Sequence, residues 1–176
     1  VSAGDPMWRG GLSGPDSIYI HADRPLISEN ATSTLLHELA HVLLPIRSDR
    51  KHDWIDEGIA EYVTLEILRR SGTISPERFL GSVKKFRRRG EPVRTMASTS
   101  ANGTIRARAV AIFHDVDDEL RNRSDGQADI FDLIRLLMNA DRPADLALLR
   151  EQAATLTGGR PLAALDDRRV PGFSSR

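Results

Sequence analysis

The chain of 176 residues has a length typical of one domain, and its hydrophobic fraction of 40% is enough for a buried core. Lysine and arginine together number 25, as do aspartate and glutamate, so the formal net charge is zero. Nucleic-acid-binding proteins usually carry a basic excess, and this balance therefore argues against a nucleic-acid partner. The absence of cysteine excludes disulfides and thiolate metal sites, and leaves histidines and carboxylates as metal ligands.

The sequence also bears on membranes and location. No apolar run approaches the roughly 20 residues that span a bilayer, so no membrane span is predicted. The sequence begins at Val1, and we expect a mature or trimmed product in which no signal peptide is recognisable. Location is otherwise open, with a periplasmic or secreted location favoured over the cytoplasm.

The N-terminal part of the chain is predicted to form a short strand or small sheet. Residues 1–16 are rich in glycine, proline and serine and are predicted to be irregular. The run Ser17–His21 contains β-prone residues and is typical of a strand. The two tryptophans, Trp8 and Trp54, are expected to be packing residues.

The remainder is predicted to be mostly helical. Apolar residues from Ala31 onward recur at helical spacing and predict a helix over residues 31–44, which Pro45 ends. Asp53 as N-cap and Gly72 as stop bound a second helix over residues 54–70.

Later helices follow from similar signals. Ser75 and Pro76 predict the start of a third helix, which Gly90 closes. Further helices are predicted over residues 105–122, 129–139 and 143–156. The tail from Gly158 is expected to be loosely held.

The sequence His37-Glu38-Leu39-Ala40-His41 carries two histidines one helical turn apart. Residues four apart on a helix differ by about 40° in direction, so both rings reach one point beside the helix. Glu38 lies about 100° from His37, close enough to touch a water on a metal held there. Zinc lowers the pKa of its bound water to about 7, and a carboxylate beside it takes the water's proton and later passes it to the leaving amine. The alternative is a core helix with hydrogen-bonded histidines.

A second motif follows in Trp54-Ile55-Asp56-Glu57-Gly58-Ile59-Ala60-Glu61-Tyr62. It resembles the second motif of gluzincin zinc metallopeptidases, which has a tryptophan, then Glu-Gly, then a small residue and an aromatic. The resemblance implies that Glu57 is the third ligand of one Zn²⁺ per chain, alongside His37 and His41, with Glu38 as general base.

The same resemblance implies two supporting carboxylates. Glu61 would hold the free ring N–H of His37, and Asp56 would do the same for His41, which fixes tautomer and ring orientation. An ordinary surface charge is the alternative for Glu61.

Most of the chain resembles the glycyl aminopeptidase family of gluzincins, which is related to aminopeptidase N and to thermolysin-like enzymes. Gly10-Gly11-Leu12 resembles the family's Gly-Gly-Leu-Glu-His strand motif, and Ala107–Met138 resembles its late helix pair. The resemblance implies an α+β zincin fold with a gluzincin core, in a single catalytic domain over residues 1–176. Its expected parts are a strand-bearing cleft edge (1–28), zinc-site helices (29–72), a helical subdomain (73–157) and a tail (158–176).

Two positions depart from the family's pattern. The strand motif of the family has a glutamate that holds the substrate's amino terminus, and that position is Ser13 here. A hydroxyl cannot pair with an ammonium as a carboxylate does, so we predict that the protein is not an efficient aminopeptidase unless Asp16 or Asp23 fills the role. The family's oxyanion-stabilising tyrosine corresponds to Arg106, which either donates to the oxyanion or lies at the surface.

The sequence therefore predicts a zinc-dependent peptidase that hydrolyses peptide or protein substrates through a metal-activated water. The alternative is a catalytically weakened zinc-binding relative that serves as a peptide-binding or scaffold domain. The intact Glu38 favours the enzyme, whereas the altered Ser13 and Arg106 favour the alternative.

Overall fold

The structure is a computed structural model that describes residues 1–4 and 10–173. Within them the chain has a small three-stranded sheet and six α-helices, and about half of it is helical, which confirms the predicted α+β class. The strands are β1 (Ser2–Gly4), β2 (Gly11–Gly14) and β3 (Ser17–His21). The helices are α1 (Thr34–Leu43), α2 (Asp53–Arg70), α3 (Pro76–Gly90), α4 (Gly103–Arg123), α5 (Ile130–Met138) and α6 (Leu146–Thr155), followed by a 3-10 turn at Ala163–Leu165. None of the described helices has both the length and the apolar character needed to cross a bilayer.

The chain forms two compact units. The first comprises Val1–Pro45 and Ala60–Ser82, and the second comprises Ile46–Ile59 and Val83–Arg176. Helices α2 and α3 each continue from one unit into the other along the chain.

The sheet in the first unit has the order β1-β3-β2. β1 runs parallel to β3 and β2 runs antiparallel to it, with Ser13 opposite Ile18 in the register. The predicted strand at Ser17–His21 is confirmed, but the prediction of irregular structure for residues 1–16 was wrong for β1 and β2. Residues 5–9 of that segment, with Trp8, lie outside the described residues.

The two strands were missed because their glycines were interpreted as a sign of loops. Gly4 and Gly11 are instead close-approach positions. A Cβ on Gly4 would collide with the Tyr19 side chain, and one on Gly11 would lie 2.6 Å from the Thr34 methyl group. A glycine inside a strand can mark such a close approach rather than a turn.

Helix α1 begins three residues later than predicted. The Ser33 hydroxyl accepts the Leu36 N–H at 3.2 Å and caps the helix, while Ala31 has a φ of 59° that no right-handed helix contains. The helix ends at Leu43, two residues before Pro45, as the proline predicts.

Helix α2 matches its predicted bounds, with Gly72 at a φ of 72° just beyond it. Asp53 is the first helical residue, and its carboxylate accepts the Ala101 N–H at 2.7 Å. Trp54 is fully buried, as expected. A Cβ on Gly58 would lie 2.5 Å from the Ala109 Cβ, so this glycine lets α2 pack closely against α4.

The predicted starts of α3 and α5 agree with the observed caps, whereas α4 begins two residues earlier and α6 three residues later than predicted. The Ser75 hydroxyl accepts the Arg78 N–H at 3.2 Å ahead of Pro76, and Asp129 forms a capping box with Asp132 at the start of α5. Asp145 caps α6.

The expectation of a loosely held tail was wrong for its described part, which ends at residue 173. Leu165 and Val170 are buried. The Glu119 carboxylate accepts the N–H groups of Ala163 and Ala164 at 2.9 and 2.8 Å. The tail therefore belongs to the core of the second unit despite its glycines and charges.

Candidate metal centre

The two histidines of the first motif lie on α1, as the spacing predicts. Their Nε2 atoms are 3.2 Å apart, and their rings are nearly perpendicular at 84°. Two nitrogens bound to one tetrahedral zinc at about 2.0–2.1 Å would be roughly 3.3–3.4 Å apart. The spacing of the two ring nitrogens therefore suits a shared metal ion.

Glu57, near the start of α2, is the third member of the candidate metal group. One ligand atom from each of His37, His41 and Glu57 lies within 4.8 Å of the other two, so the group can hold a metal ion. Two imidazole nitrogens and one carboxylate oxygen are ligands that zinc commonly takes in catalytic sites, where a fourth position stays open. The donor set is therefore one that zinc commonly takes.

Glu61 lies one helical turn after Glu57 and meets the first histidine. Its Oε2 is 3.2 Å from Nδ1 of His37, and both residues are buried. A carboxylate at Nδ1 favours the tautomer whose proton is on that atom, which leaves the Nε2 lone pair for a metal. Glu61 is therefore a buried residue close to His37 rather than a plain surface charge, and its role in fixing that ring stays a prediction.

Glu38 follows His37 on α1 and is almost fully buried, with 9% of its surface exposed. It packs beneath β2, because a Cβ on Gly11 would lie 2.7 Å from its Cγ and 2.8 Å from its Oε1. β2 thus confines the side chain of the predicted general base from one side. Because Gly11 has no side chain, β2 and α1 lie in close contact within the first unit.

Arg106 forms an ion pair with Glu57, and its expected role toward an oxyanion stays a prediction. Its Nη1 donates to Oε2 of Glu57 at 3.2 Å, from the first turn of α4. Its side chain is 36% exposed and that of Glu57 is 26% exposed. The sequence pointed to both residues but not to the bond between them.

The other site residues predicted from the sequence lie on β2, on α2 and at exposed positions. Ser13 is exposed on β2, which forms one edge of the described sheet. Asp56 is half-buried on α2 and has interactions of its own, and its expected contact with His41 stays a prediction. Asp16 and Asp23 are exposed.

Two further histidines have structural roles. His21 is buried at the end of β3, and its Nδ1 accepts the Asp23 N–H at 3.1 Å. Nδ1 of His52 is 2.7 Å from the Asp49 carboxylate, and its ring stacks on Phe173. The hydrogen bond from His52 lowers the pKa of Asp49 from its ordinary value.

Comparisons with protein-family models, with curated proteins and with solved structures gave no match for this chain.

Proposed function

We propose that the protein is a zinc-dependent peptidase of the gluzincin type, with a single Zn²⁺ on His37, His41 and Glu57. The observation that carries the proposal is that one ligand atom from each of these residues lies within 4.8 Å of the other two. Glu38, which follows His37 on α1, is buried. His37 is buried and His41 and Glu57 are half-buried, and a bound metal would help to offset the cost of that burial.

The roles of the side chains follow from their positions. Bound zinc would supply a Lewis acid that polarises the scissile carbonyl and acidifies water. Glu38, next to the first ligand, takes the proton of the attacking water and passes it to the leaving amine. Glu61 keeps the ring of His37 in one tautomer and one orientation.

Arg106 is the candidate for charge stabilisation during the reaction. It corresponds to the tyrosine of the family's oxyanion site, and its guanidinium carries five N–H donors in a fixed plane. We propose that one of these donors serves the developing oxyanion. The loss of one such donor typically costs about a hundredfold or more in rate.

The substrate class is a peptide or protein, and the proposal excludes an efficient aminopeptidase. Ser13 is neutral where the family has the carboxylate that holds the substrate's amino terminus, and its side chain is exposed on β2. A free ammonium would gain little at such a hydroxyl and would still pay for desolvation. Internal and acylated peptide bonds should therefore be cleaved at least as well as amino-terminal ones.

A second function is favoured by one specific contact. Because Arg106 bonds to the third ligand, the carboxylate of Glu57 is shared between the guanidinium and any metal. A zinc-binding relative with weakened catalysis, acting as a peptide-binding or scaffold domain, would also fit this arrangement.

The test compares the wild type with Glu38→Gln on one peptide in free and acetylated forms. We expect one zinc per chain in both proteins, chelator-sensitive hydrolysis in the wild type, and no hydrolysis in Glu38→Gln. Glu29→Gln, at an exposed position of the same unit, is the matched control and should be fully active.

Each contrary outcome has a distinct meaning. Hydrolysis by Glu38→Gln at the wild-type rate would show that the chemistry lies elsewhere. Zinc binding without hydrolysis in the wild type would favour the scaffold. A strong preference for the free amine that survives Asp16→Ala and Asp23→Ala would refute the argument from Ser13.

A further inference from the structure

The carboxylate of Glu57 has a cation beside it already. Oε2 accepts a hydrogen bond from Nη1 of Arg106 at 3.2 Å, and both side chains are partly shielded from water. The same carboxylate contributes the third ligand atom of the candidate metal group. One anionic group thus faces two cationic partners, the guanidinium and a metal ion.

The guanidinium of Arg106 stays charged, so it always competes with a metal ion for the carboxylate of Glu57. A guanidinium is not deprotonated in proteins, so it cannot relieve repulsion from a nearby dication by losing a proton, as a lysine or histidine can. A hydrogen bond to one carboxylate oxygen also draws electron density away from the other. Partial burial raises the strength of both effects above that in bulk water.

We propose that Arg106 is a positioning residue that holds Oε2 of Glu57, leaves one oxygen for the metal, and keeps metal affinity below what the three ligands alone would give. This inference rests on the proposed zinc site. The effect that this inference predicts for removal of Arg106 is the opposite of that usual for a partner of a metal ligand. Partners of metal ligands normally strengthen binding, and their loss weakens it about 10–100-fold. Removal of Arg106 should instead tighten zinc binding.

The experiment measures the zinc dissociation constant by chelator competition in the full chain for three variants and the wild type. Arg106→Met removes the charge and the hydrogen bond at similar side-chain length, and should bind zinc about tenfold more tightly, the lower end of the range seen for partners of metal ligands. Arg106→Lys keeps the charge and should stay within a few fold of the wild type.

Arg108→Met is the matched control, with the same change of charge two residues along α4. Its guanidinium donates to the backbone oxygen of Arg169 rather than to Glu57. Zinc affinity should be unchanged in this variant, which separates the specific contact from the general loss of one positive charge.

The outcomes distinguish this inference from the metal site itself. Unchanged or weaker zinc binding in Arg106→Met, with normal binding by the wild type, would overturn the inference alone. Tighter binding in Arg108→Met as well would also overturn it, because a diffuse charge effect would suffice. Absence of zinc binding in every protein would overturn the metal site and the inference together.

Discussion

At the scale of single residues, Gly11 determines the space available to the proposed base. The three atoms nearest to an added Cβ all belong to side chains, namely Cγ2 of Thr34 and Cγ and Oε1 of Glu38. A methyl group there would be accommodated by movement of those side chains rather than of the strand. The position of the glutamate therefore depends on a residue that carries no chemistry itself.

We accordingly expect Gly11→Ala to separate catalysis from metal binding. Displacement of a catalytic group by about 1 Å can cost roughly a hundredfold in rate, so peptide hydrolysis should fall by about that factor. Zinc affinity should hardly change, because the three atoms nearest to the added methyl group belong to Thr34 and Glu38 and to none of the proposed ligands. Steady-state kinetics and chelator competition on the same samples measure both quantities.

Gly14→Ala on the same strand is the control for Gly11→Ala. An added Cβ there would approach Oγ of Ser17 at 3.0 Å, and the described contacts within 4 Å of it include no atom of Glu38. This variant should keep its activity. Full activity of Gly11→Ala would mean that Glu38 tolerates displacement or is not the base.

The pairing of residues within each helix of the candidate metal group could be predicted from local geometry, whereas Glu57 was predicted as the third member only from the resemblance to gluzincins. His37 and His41 are separated by one helical turn, as are Glu57 and Glu61, and helix geometry alone aligns each pair. The bond between Arg106 and Glu57 could not be predicted in this way. It joins two residues 49 positions apart, and depends on how α2 and α4 pack.

At the scale of elements, helix α2 contains a buried ion cluster remote in sequence from the metal ligands. Glu66 is 1% exposed, and its carboxylate accepts hydrogen bonds from Nε of Arg69 and Nε of Arg70, both at 2.8 Å. Burial alone would raise the pKa of Glu66, but the two arginines outweigh it and the pKa lies below its ordinary value. The folded state therefore favours the ionised carboxylate.

The loss of this charge should destabilise the protein in a pH-dependent way. Glu66→Gln leaves two half-exposed arginines without their shared anion, and we expect a cost of about 1–3 kcal/mol near neutral pH. The lowered pKa contributes stability that is fully present above the ordinary value of 4.5 and is lost as pH falls through the lower folded value. The difference from the wild type should therefore shrink below about pH 4.5 in denaturant titrations.

Glu29→Gln, at an exposed position, is the control and should show neither the cost nor its pH dependence. A constant difference between Glu66→Gln and the wild type across the acid range would show that the stabilisation does not come from the ionised carboxylate.

The elements that sequence reasoning missed depend on contacts distant in sequence. β1 and β2 have little β propensity of their own, and exist because β3 supplies their hydrogen-bonding partners. The described tail is ordered by the carboxylate of Glu119, 44 residues upstream of Ala163. Caps such as Ser33 and Ser75 act within one turn, and the helix starts they control are close to those predicted.

At the scale of the whole molecule, the α+β class was predictable, but the division into two compact units was not. The division falls inside α2 after Ile59 and inside α3 after Ser82. No linker composition marks either point, because a continuous helix has the same hydrogen bonding on both sides of the boundary. The expected single catalytic domain therefore stays a prediction of the sequence.

Zinc should stabilise the molecule as a whole if the proposed ligands hold it. A ligand that binds only the folded state, present at a concentration a hundred times its dissociation constant, adds about 2.7 kcal/mol to the free energy of unfolding. For a chain of this size that raises the melting temperature by roughly 5–10 °C. The proposed donors come from α1 and α2, so unfolding of either helix releases the metal. We expect this shift in the wild type and its loss in His41→Ala, measured calorimetrically with added zinc and with chelator.

His52→Gln is the control, because it removes a histidine that contacts Asp49 instead. It should lower the melting temperature in chelator but keep the zinc-dependent rise. An equal rise in His41→Ala would place the bound zinc elsewhere on the chain.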